Sequence, residues 1–308
     1  MSNHHNKQEW QVIGKTVRGS SHVRNNLPNQ DAMGWWPDSK KGHSLILVVA
    51  DGHGSSKSFR SDQGSRLAVN SAKQTLQDFL TEISKTDLVQ NLASIKQIAE
   101  LDLPKELIKN WKSEVQKNFS EHPFTDEEWI KLKNQEGIQQ REQVEKNPFI
   151  AYGTTLLSIV VTDFFILYIQ LGDGDILCVD EQGRTERPLR LDKRFLGNQT
   201  TSLCLPDAWK EFQVRLVPYP ERMPELVLAS TDGYSNSFRT EEDFIKIGKD
   251  YWEMTYSNNL IELENQLENF LKSASEQGSG DDITLGIIKR LHQNKSNNLC
   301  HNQVINQE

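Results

Sequence analysis

Residues 44–54 read SLILVVADGHG. Leu45 to Ala50 are all apolar, with β-branched residues at Ile46, Val48 and Val49. A run this short and this apolar predicts a strand buried on both faces, since an amphipathic helix would interrupt it with polar residues every third or fourth position. It ends abruptly at Asp51-Gly52-His53-Gly54, a glycine-rich loop that places one carboxylate and one imidazole at the end of a rigid element.

The same arrangement recurs outward from this stretch. Leu171-Gly172-Asp173-Gly174 and Leu228-Ala229-Ser230-Thr231-Asp232-Gly233 also run from an apolar strand into Asp-Gly. Gly280-Asp281-Asp282 precedes a strand, and Asn29-Gln30-Asp31 follows a turn. Asp-Gly is ordinary turn chemistry, and any one instance needs no further reason. As a set, carboxylates on strand ends can converge, and converging carboxylates repel unless cations neutralise them. Hard oxygen donors suit Mg²⁺ or Mn²⁺ rather than zinc. The glycine after each Asp lets backbone come close to an ion or phosphate. An EF-hand counted from Asp173 fails, with Leu177 where a ligand is needed and Arg184 at the twelfth position. Asp173-Gly174-Asp175-Ile176-Leu177 leaves a haloacid-dehalogenase-type phosphatase open as a weak competitor, because Leu stands in the last place of that Asp-x-Asp-x-Thr/Val pattern.

The rest of the chain supplies strands and amphipathic helices. Short strands are expected at Trp10 to Thr16, Leu156 to Val161, Phe164 to Leu171, Ile176 to Val179, Leu226 to Ala229 and Ile283 to Ile288, with turns at Thr162-Asp163 and Gln182-Gly183. Ala68, Ala72, Leu76, Phe79 and Leu80 stripe a helix from Arg66 to Leu80. A second helix follows Pro104 with Leu107, Ile108, Trp111, Val115 and Phe119 on one face. Thr125 to Glu128 forms a capping box for a third, while 131–147 is polar enough for a solvated helix end or loop. Leu260, Leu263, Leu267 and Phe270 mark a late helix, broken at Gly278 to Gly280. Gly19 to Gln30 is turn-rich, Arg187 to Pro224 reads as an irregular surface flap, and residues 1–8 and 291–308 read as flexible tails.

Composition narrows the function classes. The chain has 308 residues, with 35 Lys and Arg against 43 Asp and Glu, for a net charge of −8. This acidic balance argues against a nucleic-acid binder and against a polybasic membrane anchor. No apolar run approaches the roughly 20 residues that span a bilayer, and the amino terminus has no signal-like apolar core. Cys178, Cys204 and Cys300 are odd in number and far apart, so they form neither a disulfide framework nor a zinc set, and a reducing cytoplasm is the expected setting.

Five motifs in order then resemble one known family, the metal-dependent PPM (type 2C) protein phosphatases. They are Val49-Ala50-Asp51-Gly52-His53-Gly54, Gly153-Thr154-Thr155, Leu171-Gly172-Asp173, Leu228 to Gly233, and Gly280-Asp281-Asp282-Ile283-Thr284. The resemblance runs from about Gly14 to Ile288. It implies an α+β fold: a four-layer sandwich of two antiparallel β-sheets packed face to face and flanked by α-helices. It also implies one phosphatase domain over 9–290, with a polar helical insert at about 101–148. Asp51 resembles the carboxylate bridging two Mn²⁺ or Mg²⁺ ions, Gly52 the residue whose carbonyl binds one of them, and Asp232 and Asp281 ligands of the other. Asp173 resembles the ligand of a weaker third ion, and Asp31 the acidic residue near the metal-bound waters. The implied reaction is hydrolysis of phosphoserine and phosphothreonine in proteins, the products of a Ser/Thr kinase, by in-line attack of a water activated between two cations, without a phosphoenzyme. His53, beside the metal loop, is the candidate general acid for the departing serine oxygen, which predicts falling activity on a peptide at high pH.

Two positions depart from the family. Gln30 replaces the usual acidic residue before Asp31, which predicts a less firmly held metal-water shell. Asn26 stands where a phosphate-binding arginine is expected, leaving Arg24 as the candidate and Arg18 as a second. Asp282, where Asn is usual, reads as a support for the ligands. Gln30 keeps a second reading open, a catalytically weak phosphatase-fold protein that binds phosphoproteins or acts as a regulatory module.

Overall fold

The computed structural model describes residues 8–88, 90–136, 138–190, 201–218, 223–257 and 260–292. In chain order the elements are β1 (Glu9–Val17), α1 (Ser20–Arg24), β2 (Ala32–Trp36), β3 (Lys41–Gly42), β4 (Leu45–Ala50), α2 (Ser61–Ile83), α3 (Leu92–Leu101), α4 (Leu103–Glu121), α5 (Asp126–Glu136), α6 (Ile138–Lys146), β5 (Leu156–Val161), β6 (Phe165–Leu171), β7 (Asp175–Val179), β8 (Thr185–Glu186), β9 (Gln213–Pro218), β10 (Leu226–Ser230), α7 (Asp232–Ser235), α8 (Glu241–Ser257), α9 (Leu260–Gln277) and β11 (Ile283–Leu291). They build two antiparallel sheets, ordered β3-β1-β11-β10-β7-β8 and β2-β4-β5-β6-β9.

The alternation of side chains along β4 explains its unbroken apolar run. Leu45, Leu47 and Val49 point between the sheets, where they meet Trp10, Val12, Ile176, Val227 and Ile288. Ile46, Val48 and Ala50 point to the other face, against Ala68, Ala72 and Leu76 of α2 and Trp111 of α4. All six are fully buried. At about 1.5–3 kcal/mol for each large apolar side chain removed from water, this strand is a principal anchor of the fold. On the far side of the other sheet, Leu177, Leu228, Leu285 and Ile287 pack under Phe244 of α8 and Leu263, Leu267 and Leu271 of α9. Three apolar layers therefore separate four structural layers, the sandwich that the resemblance implied.

The sequence placed most strands within a residue or two. It assigned Phe270 to the inner stripe of α9, but Phe270 is partly exposed and Leu271 is buried in its place. Helices α3 and α8 carried no sequence assignment; Gly248 interrupts the stripe of α8 because the helix lies too close to Thr185 for a side chain there. Helices run from Leu92, upstream of the expected insert, and their inner faces are buried at Leu107, Trp111, Val115, Leu132 and Val144. The capping box forms as expected, with Thr125 N donating to Glu128 Oε2 at 2.7 Å and Glu128 N to Thr125 Oγ1 at 3.2 Å. The irregular flap contains β9, an edge strand that pairs with β6 and ends at Pro218; it buries only Leu216 fully, so no alternating or continuous apolar pattern marks it. Residues 191–200 and 219–222 of that stretch, and 1–7 and 293–308 of the expected tails, lie outside the described residues. Leu291 ends β11, and His292 bonds to Glu225, so the ordered chain passes the expected boundary.

Candidate active site

The strand ends converge at one end of the sandwich. Asp51 follows β4, and its loop is laced to the Gly153–Thr155 segment: Thr155 N and Thr154 Oγ1 donate to Asp51 O at 2.8 and 2.7 Å, and Thr155 Oγ1 accepts from Asp51 N at 3.0 Å. His53 N donates to Gly153 O at 3.0 Å, and Gly52 N to Gln30 O at 3.1 Å. A Cβ on Gly52 would lie 2.6 Å from Ser61 O and 2.7 Å from Gln30 O. A Cβ on Gly233 would lie 2.1 Å from Asp282 O. These two glycines are thus required by neighbouring backbone, a different reason from the ion or phosphate approach read in the sequence. Asp232 is the first residue of α7 rather than part of a plain turn, and Asn236 Nδ2 donates to its Oδ2 at 3.0 Å. Asp31 is 6% exposed; Thr231 Oγ1 and Thr284 Oγ1 both donate to its Oδ2 at 2.8 Å, while its Oδ1 is buried without a partner among the described residues.

The carboxylates perturb one another strongly. Burial, then the charge of Asp282, hold Asp31 well above the usual carboxylate range. Burial, then Asp31 and Asp232, do the same to Asp51. Asp232 is pushed up to about 6 by burial and by Asp173. Burial also raises Asp281. Four acids from separate elements share one electrostatic neighbourhood, and a buried carboxylate oxygen there has no donor. Such a site is complete only when protons or cations compensate it. These oxygen donors and the orphaned Asp31 Oδ1 fit hard divalent ions.

Residues 18–272 match the family model described as Protein phosphatase 2C. The chain belongs to the protein phosphatase 2C family. It is thereby a protein-serine/threonine phosphatase. Among solved structures it is similar to the serine/threonine phosphatase Stp1 from Staphylococcus aureus, at 14% identity over 92% of this chain and 95% of that one, with a TM-score of 0.54. A bacterial serine phosphatase gives 14% identity over 92% and 98%, with a TM-score of 0.53. The catalytic domain of the phosphatase PstP, in complex with two manganese ions, gives 14% identity over 92% and 100%, with a TM-score of 0.50. No curated protein sequence matches the chain at a significant level.

The phosphatase brings Asp31, Asp51, Asp232 and Asp281 together, with Asp173 close enough to act electrostatically on both Asp232 and His53. It does not bring Arg24 to them: the side chain is exposed, Nη1 reaches Ser20 Oγ at 3.4 Å, and among the described residues it forms no ion pair with these acids. Arg18 is half-buried; its Nη2 donates to His22 O at 3.1 Å and its Nε is buried without a partner. The Gln30 amide is engaged by Ser61, Nε2 donating to Ser61 Oγ at 2.9 Å. Burial pushes His53 down to about 4, so its imidazole is neutral at pH 7. This low value is at odds with the high-pH limb expected from a protonated His53. Asp175 closes an ion pair with Arg187 at 2.7 Å, so the second acid of the dehalogenase-type pattern is occupied, and the family match removes that competitor.

Sequence reasoning missed His22 and the two threonines on Asp31. His22 Nδ1 lies 2.8 Å from Asp282 Oδ2 across 260 residues of chain, and Thr231, just after β10, and Thr284, in β11, both reach Asp31. No local pattern encodes such pairings.

Proposed function

We propose that this phosphatase hydrolyses phosphoserine and phosphothreonine in proteins with a water activated by two divalent cations, Mn²⁺ or Mg²⁺. One observation carries the reading: Asp31, Asp51, Asp232 and Asp281 converge from separate strand ends into a site whose burial and mutual repulsion call for cations. The manganese pair of the similar PstP domain supports it.

Asp51, Asp232, Asp281 and the Gly52 carbonyl would hold the ions, with Asp173 holding a weaker third. When bound, the ions lower the pKa of water and neutralise charge on the phosphoryl oxygens. Asp31, fixed by Thr231 and Thr284, directs its open Oδ1 to orient the waters at the site. Arg18 is the candidate we prefer for the substrate phosphate, because it is half-buried beside Gly19, whose N donates to Asp282 Oδ1, while Arg24 faces solvent. His53 serves as a neutral hydrogen-bond donor to the leaving oxygen. The substrates in this reading are phosphoprotein products of a Ser/Thr kinase in a cytoplasmic setting; among the described residues no helix is long and apolar enough to cross a membrane.

The test is Asp51→Asn. Mn²⁺-dependent hydrolysis of a phosphothreonine peptide, abolished by EDTA, is expected for the native chain and should be lost in the variant with its fold retained by circular dichroism. Turnover by Asp51→Asn at saturating Mn²⁺ equal to the native chain would overturn the reading.

A further inference from the structure

We propose that His22 is a nitrogen ligand of the metal ion that Asp281 binds, aimed at it by Asp282. The inference rests on the divalent-ion reading above and adds a donor to it.

Among the described residues, His22, Asp281 and Asp282 form a group whose potential donor atoms all lie within 4.8 Å of one another. Asp282 is 3% exposed and is the hub of the group. Its Oδ1 accepts from Gly19 N at 2.6 Å, and its Oδ2 from Gln30 N at 2.6 Å and from His22 Nδ1 at 2.8 Å. Two backbone amides thus fix the carboxylate as an acceptor, and the imidazole must donate to it. This places a proton on Nδ1 and, in the neutral ring, leaves Nε2 as the coordinating atom. A carboxylate behind a histidine is the usual outer support of a metal-bound imidazole, holding its tautomer and orientation.

Nε2 faces Asp281 Oδ1 at 3.5 Å. That is long for an N–H···O hydrogen bond, whose usual separation is about 2.9–3.0 Å. Two donors each about 2.1 Å from one ion stand about 3.0 Å apart at a right angle and about 3.4 Å apart at a tetrahedral angle. The observed separation suits two ligands of one cation. Asp281 Oδ1 is itself oriented by Asp282 N at 2.8 Å. A bare Nε2 lone pair against a carboxylate is repulsive, so a cation belongs between them. A proton is the competing occupant, with the Pro28 carbonyl beside the ring as a further acceptor.

An imidazole ligand changes which ions the site prefers. Nitrogen favours Mn²⁺, Co²⁺, Ni²⁺ or Zn²⁺ over Mg²⁺ more than carboxylates alone do. Asp282 in place of the neutral Asn expected from the family would strengthen this, since a charged acceptor makes the imidazole a better donor.

The experiment uses the full chain loaded with Mn²⁺, with binding measured by titration calorimetry and ligation by pulsed electron paramagnetic resonance. Native protein should show the nitrogen coupling of a directly bound imidazole, altered when histidine alone is labelled with ¹⁵N. The coupling should vanish in His22→Ala and in His22→Gln and persist in His53→Ala. Mn²⁺ affinity should fall about 10–100-fold in the His22 variants and about tenfold in Asp282→Asn, with a smaller loss for Mg²⁺. Bound Mn²⁺ with no histidine coupling in the native chain, or a coupling that survives loss of His22, overturns the His22 assignment while leaving the carboxylate site standing. Failure of the native chain to bind Mn²⁺ overturns both. The labelled native spectrum decides even if a variant does not fold.

Discussion

Asp232→Asn in metal-free protein tests the electrostatics of the site apart from its catalysis. The native group is pushed up to about 6 by burial and by the charge of Asp173. Against an unfolded value of about 3.9 this is about two pH units, or about 3 kcal/mol, and solvent at its partly exposed edge trims the figure to about 2 kcal/mol. The sign follows from proton binding. A carboxylate raised in the folded state holds its proton more tightly there than in the unfolded chain. Its favourable contribution is therefore complete below about pH 4 and is lost as pH rises through about 6. The difference in unfolding free energy between Asp232→Asn and the native chain isolates this group from others that titrate nearby. Measured by urea unfolding in EDTA, that difference should be near zero at pH 4 and should favour the variant by about 2 kcal/mol at pH 7.5. With Mn²⁺ present the order should reverse, since ion binding at a hundredfold excess over its dissociation constant stabilises the native fold by about 2.7 kcal/mol. A variant that is destabilised in EDTA at pH 7.5, as much as it is in Mn²⁺, would refute the argument that unneutralised charge strains this site.

Three further outcomes follow from the geometry. Gln30→Glu should lower the Mn²⁺ concentration giving half-maximal rate, by adding a charge beside the acids; an unchanged or raised requirement in a Mn²⁺ titration would mean that residue 30 stays on Ser61. His53→Ala should slow a phosphoserine peptide more than p-nitrophenyl phosphate, because only the alkoxide needs a hydrogen-bond donor in leaving. Because burial sets His53 at about 4, its removal should not alter the profile between pH 7 and 9, and equal losses on both substrates would assign it to holding the loop. Arg60→Met should destabilise the chain by about 2–4 kcal/mol in thermal or urea unfolding. Arg60 is 5% exposed, pairs with both oxygens of Glu128 at 2.7 and 2.8 Å, and donates to His122 O and Tyr152 OH, so its loss strands several acceptors that tie α5 and the segment before it to the start of α2.

The elements legible in the sequence were those whose environment repeats along the chain. The β4 run was readable because a strand buried on both faces needs six apolar residues in succession, and α2 and α4 because one buried face recurs every turn. Elements whose burial is partial or broken were not: β9, at a sheet edge, buries only Leu216 fully, and α8 is interrupted by Gly248 where it crosses Thr185.

The sequence by itself determined which acids stand at strand ends, because Asp-Gly after an apolar run is a local signal. It also determined the order of motifs that resembles the phosphatase family. Tertiary structure decided what those acids experience. The raised Asp31, Asp51 and Asp232 arise from burial and from charges far away in the chain, which no window of sequence contains. The low value of His53 likewise comes from burial in the folded site. The different surroundings of Arg18 and Arg24, six residues apart, also come from the fold: Arg18, between β1 and α1, donates to His22 O, while Arg24, in α1, faces solvent. The pairing of His22 with Asp282 spans 260 residues, and it exists only because β1 and β11 lie side by side, carrying the loops at their ends into contact.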